Sequence, residues 1–125
     1  MSAKDAGNLV GMLFLARDLA HRAHLRTTGL GSLARHEALG EFYDAIIDKA
    51  DLFCESYQGC YNVLLDVPLM DDEATDMIAV MEKQVKWIKA NRLQVCGEQE
   101  TALLNLLDDI LLTYYRTLFK LRNLK

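Results

Sequence analysis

A single proline in 125 residues, Pro68, is the feature that most restricts what this chain can fold into. Proline lacks a backbone donor and breaks helices, so the long stretches free of it are able to run as uninterrupted helix. The remaining breaks are glycines, at Gly29 and Gly31, at Gly59 and at Gly97. Between them the apolar residues recur every three or four positions, which is the helical period, and show no strand-like alternation. The pattern predicts an all-α fold of four helices, at about 5–28, 33–59, 72–95 and 98–121.

Each predicted helix has one side suited to a core. At roughly 100° per residue, Leu9, Met12, Ala16, Leu19, Ala20 and Ala23 share a stripe of the first helix. Leu39, Phe42, Ile46, Ala50, Phe53 and Tyr57 do so on the second, and Met77, Ile78, Met81, Val85 and Ile88 on the third. Ser32 is the expected N-cap of the second helix, and Asp71 or Asp72 that of the third. Glu98 and Glu100 are expected at the positive end of the fourth, with Lys120, Arg122 and Lys125 at its negative end.

The turn TTGLGS, Thr27 to Ser32, reverses the chain and makes the first two helices antiparallel neighbours. The connection around Pro68 is longer. About a dozen extended residues reach roughly 40 Å, the length of a 27-residue helix, so a crossover and simple up-down connectivity both remain open. Residues 1–125 are expected to form one four-helix bundle domain.

The apolar share of 51% and charged share of 26% are those of an ordinary globular chain. No apolar run approaches the roughly 20 residues of a membrane span, and no secretory signal is recognisable, so a cytosolic protein is expected. Cys54, Cys60 and Cys96 lack CxxC spacing and are expected to be buried free thiols rather than disulfides or a zinc site. A net charge of −4 and a pI near 5.3 argue against a surface that is basic overall and binds nucleic acid. No P-loop, dinucleotide turn, GxSxG or HExxH is present, which leaves hydrolase and nucleotide-enzyme readings without support.

The chemistry-bearing residues gather between His21 and Tyr57. His24 and His36 straddle the glycine turn, while Asp51 and Glu55 are one turn apart on the second helix. Taking His36 as zero, Asp51 projects near 60° and Glu55 near 100°, whereas the apolar stripe is centred around 280°. These side chains therefore face away from the core of their own helix. Two imidazoles and two carboxylates suit a borderline or hard cation such as iron, and the rest of such a shell must come from another polypeptide surface, most simply a second subunit. His21 is expected at the surface or an interface. Asp44 and Asp48 lie on the same polar side, and the Met77, Met81 and Trp87 series is expected in core and interface.

The spacing from His24 to Glu55 resembles that of the Dps-type miniferritins, the starvation-induced DNA-binding proteins of bacteria. In that family a histidine ends helix one, a glycine follows five positions on, and a second histidine seven after that is often followed by glutamate. An aspartate and a glutamate then lie deep in helix two. Here the matching residues are His24, Gly29, His36 with Glu37, Asp51 and Glu55. The likeness covers roughly residues 10–59, with a weaker match at Gly97, Glu98 and Thr101.

The resemblance implies a ferritin-like four-helix bundle and a hollow homododecamer. It also implies iron sites at two-fold interfaces, with His24 and His36 from one chain and Asp51 and Glu55 from its partner. Iron(II) bound there would be oxidised, preferably by hydrogen peroxide, and stored as ferric mineral, making the chain a ferroxidase that protects against iron and peroxide damage. Three departures stand out. Gly40 takes the place of a further aspartate, with Glu41 about 100° round the helix. Leu25 replaces a tryptophan, and Ser32 and Arg35 replace apolar residues. The short helix of the middle crossover is missing, and the lysine-rich DNA-binding tail is reduced to Lys4, which argues against direct DNA binding. The alternative is a ferritin-like structural or interaction protein whose metal site has decayed and has no oxidase activity.

Overall fold

The computed structural model describes residues 2–125, and among them there are four helices and no strand. Helix α1 spans Ala3–Leu25, α2 Ser32–Tyr61, α3 Met77–Val95 and α4 Thr101–Asn123. Their boundaries follow local chemistry. Ser2 caps α1 by accepting the Asp5 amide on its hydroxyl at 3.2 Å. Gly29 and Gly31 take φ of +93° and +78°, the left-handed region that glycine enters without a Cβ penalty. Gly31 thereby occupies the N-cap position of α2, and Ser32, the expected cap, is its first helical residue.

The other ends also differ from the sequence-based boundaries. Helix α2 runs through Gly59 to Tyr61 and stops where Asn62 turns left-handed at φ 52°. Helix α3 starts at Met77 because Asp76 is its cap, accepting the Ala79 amide at 3.2 Å. Asp72 instead bonds the Ala74 amide at 2.9 Å and makes a local turn. Glu98 and Glu100 lie before α4 rather than within its first turn.

The helices pack in the cyclic order α1, α2, α4, α3, with α1 and α4 diagonal, as are α2 and α3. Three contacts fix the directions. The Ser2 amide donates to the Gln94 carbonyl at 2.6 Å, placing the end of α3 beside the start of α1. The Gly97 amide donates to the Tyr61 hydroxyl at 3.0 Å, so α4 begins beside the end of α2. At the other end Lys120 of α4 pairs with Glu41 of α2. Residues 62–76 must therefore travel the length of the bundle, and the connectivity left open by the sequence is a single long crossover.

Two glycines of α1 seat that crossover. A Cβ at Gly7 would collide with the Asp66 carbonyl, and one at Gly11 would lie 2.8 Å from the Pro68 carbonyl oxygen. The crossover backbone can thus lie directly on the helix where no side chain stands. Beneath it the core holds Leu9, Leu13, Phe42, Phe53, Tyr57, Met81 and Leu107, all fully buried. Buried Tyr114 donates its hydroxyl to Gln84 at 2.7 Å and meets the edge of Phe42 at 5.1 Å, so the deepest polar group is satisfied. No described helix is long and apolar enough to cross a membrane.

Candidate functional site

His24 sits in the last turn of α1 and His36 in the second turn of α2, on either side of the glycine turn that reverses the chain. The reversal lays one ring on the other, with centroids 3.5 Å apart and planes inclined by 20°. Each ring also bonds the other's backbone. His24 Nδ1 is 2.6 Å from the His36 carbonyl oxygen, and His36 Nδ1 is 2.9 Å from that of His24. A carbonyl only accepts, so both Nδ1 atoms must carry the proton. In the neutral ring each Nε2 then keeps its lone pair, the tautomer that a backbone carbonyl fixes in histidine metal ligands.

Gly40, one turn beyond His36, is part of this clasp. A Cβ there would stand 3.1 Å from His24 Cε1 and 3.3 Å from its Nδ1. Gly40 is thus the surface on which the His24 ring rests. Tyr43 completes the enclosure, edge-on to His24 at 5.3 Å and stacked on His21 at 4.4 Å, with the Arg17 guanidinium 5.3 Å from the centre of its ring. His21 is half-exposed and stacks on Tyr43 of its own chain. Tyr43 is not singled out from the sequence, although seven residues after His36 is two turns along the same face.

Asp51 and Glu55 lie elsewhere. Both are exposed on the second half of α2. Fifteen helical residues separate Asp51 from His36, a rise of about 22 Å, so the two pairs cannot meet inside one chain. Among the described residues no three His, Cys, Asp or Glu side chains of the chain gather as a metal site. The imidazole pair and the carboxylate pair are thus two separate places on the chain.

Cys54 stands between the carboxylates, and its thiol is pushed up first by burial and then by the charges of Asp51 and Glu55. Of the other thiols, Cys96 is buried and pushed up to about 11 mainly by that burial. Cys60 is exposed, contrary to the expectation that all three are buried, because it lies on the outer side of the last turn of α2.

No match is found among curated proteins or among solved structures. A family of unknown function, DUF5856, matches residues 24–121, from the first histidine of the clasp to the last buried leucine of α4. That span takes in the histidine pair, the carboxylate pair and all of α2, α3 and the crossover, and the chain belongs to this family.

Proposed function

We propose that the chain is the subunit of a Dps-like, ferritin-like oligomer that binds and oxidises iron at sites shared by two copies. The observation that carries this reading is the histidine clasp. It holds Nδ1 of both imidazoles on backbone carbonyls, the ligand tautomer in the neutral ring, with ring centroids 3.5 Å apart. An imidazole binds an ion in its own ring plane, and these planes are inclined by only 20°, so for both to serve as ligands either one ring turns out of the stack or each holds its own ion. The single long crossover supports the ferritin-like part of the reading, since bundles of that class have one such connection.

Iron(II) is the substrate. Two ions give one electron each to a peroxide, which takes up two protons and leaves as two waters. Imidazoles suit iron(II), and the harder carboxylates of Asp51 and Glu55 favour iron(III), so the mixed set promotes the change of state. With glycine at position 40 the set is short of one oxygen, which leaves coordination positions for water and oxidant.

One feature favours a second reading, a bundle with no metal chemistry. The His24 carbonyl is one of the four at the end of α1 that lack a helical partner, and His36 Nδ1 satisfies it, so the clasp also works as a structural cap. Complementation separates the two. His24→Ala/His36→Ala and Asp51→Asn/Glu55→Gln each alone should oxidise iron(II) with peroxide no faster than buffer, followed by ferric absorbance. Refolded together, random pairs should restore about a quarter of the sites, because half of the pairs are mixed and each mixed pair has one intact site. Wild-type protein at the buffer rate would leave only the structural reading.

A further inference from the structure

Gln84 is a buried polar side chain of α3, 6% exposed, and the fold uses only part of its hydrogen-bonding capacity. Its Oε1 accepts the Tyr114 hydroxyl at 2.7 Å. Its two amide N–H donors meet no acceptor among the described residues. They have a neighbouring space to turn to, since Gln84 lines a cavity of about 650 Å³ between α1, α3 and the crossover. Small-molecule sites are typically roughly 300–1,000 Å³, largely apolar, with a few polar groups that set orientation.

The walls match that description. Met12 and Leu15 of α1, Met70 of the crossover and Trp87 of α3 supply apolar and aromatic surface. Lys83 and Lys86 stand at the rim, neither held in an ion pair among the described residues. Asp71 and Asp72 face them, but Asp72 is turned into its own loop by the Ala74 amide.

We propose that this cavity binds a planar apolar small molecule carrying a carbonyl or carboxylate oxygen, with the oxygen on the Gln84 amide and the ring against Trp87. No buried side-chain nitrogen or oxygen among the described residues lacks a partner, so the Gln84 donors that the fold leaves unused open on the cavity, where a ligand oxygen can take the place of water. The rim lysines favour the carboxylate over the neutral carbonyl. This site lies on α1 and α3, away from the histidine pair and the carboxylate pair, and does not rest on the iron reading.

Trp87 is the only tryptophan, so its indole N–H gives one resonance in a nitrogen–proton correlation spectrum. Titration with 2-naphthoate and 2-acetonaphthone should shift that resonance saturably. 2-Methylnaphthalene, which lacks the oxygen, should bind about three- to tenfold more weakly, as loss of one hydrogen bond implies. Gln84→Glu keeps the acceptor for Tyr114 and removes the donors, and should erase the advantage of both oxygenated probes. If the three probes bind alike to the wild type, or none shifts the indole, the proposal is overturned. That comparison needs no variant and holds even if Gln84→Glu fails to fold. Tighter binding of the ketone than of the acid would assign the neutral carbonyl as the ligand group.

Discussion

Near its start α2 carries a histidine whose ring is fixed by a stack and a backbone carbonyl. About four turns later it carries two carboxylates fixed by nothing but the helix. The imidazole pair is a finished piece of geometry within one chain. The carboxylate pair is only a spacing, exposed and without an intrachain partner among the described residues. The proposed division of a site between subunits rests on this contrast, because each chain can order one pair by itself but not bring the two pairs together.

That contrast has a thermodynamic form, and its breakage gives the largest expected effect. His24→Ala/His36→Ala removes two hydrogen bonds and a half-buried stack, and should cost about 2 kcal/mol in denaturant unfolding, at about 1 kcal/mol per bond. Asp51→Asn/Glu55→Gln touches no intrachain partner and should stay within about 0.5 kcal/mol of wild type. Equal losses for the two variants would mean that the carboxylates have a structural role in the chain, and the division into built and unbuilt halves would fail.

Gly40 sharpens the comparison at its boundary. Asp at this position would restore the oxygen that the resemblance leads one to expect, yet its Cβ would press on His24 Cε1 at 3.1 Å. The ring has little freedom to yield, since it is stacked on His36 and bonded to the His36 carbonyl. Gly40→Asp should therefore lose about 1 kcal/mol, overpacking outweighing the small gain in helix propensity. It should also weaken the His24 Nδ1 bond, visible as faster exchange of that ring proton. Unchanged exchange together with tighter iron binding would show that the glycine is a lost ligand and nothing more.

How far the sequence revealed these halves depended on the kind of interaction. The core stripe of α2, from Leu39 to Tyr57, was readable because burial imposes a helical period on residue type, and all six of its residues are buried. The proximity of His24 to His36 followed from a short turn between antiparallel helices. The stack, the reciprocal carbonyl bonds and the role of Gly40 did not, because side chain to backbone contacts across a turn leave no periodic trace. The crossover was ambiguous for a related reason. Its path is decided by Gly7 and Gly11, whose lack of side chains reads in sequence as weak helix punctuation. The start of α3 was misplaced because Asp71, Asp72 and Asp76 are all good caps, and only the geometry selects Asp76.

The smallest effect reports on the unbuilt half. The Cys54 thiol is pushed up by burial and, after that, by Asp51 and Glu55. Burial persists in Asp51→Asn/Glu55→Gln, whereas the charges do not, so the thiol should fall toward its ordinary value in that variant. More thiolate is then present at pH 8, and alkylation by a small electrophile should quicken by a factor of about two to three, since surface charges are strongly screened. Exposed Cys60 will react as well, so the rate is read on Cys54 by peptide mapping, with Cys60 as internal reference. A cation held between the carboxylates would act in the same direction by cancelling their charge. The wild type should therefore quicken when iron(II) or a redox-inert stand-in such as zinc is added, and the double variant should not. If added metal leaves Cys54 unchanged in the wild type while oxidation still proceeds, the carboxylates are not where the ion sits, and the imidazole pair must complete its shell from other residues.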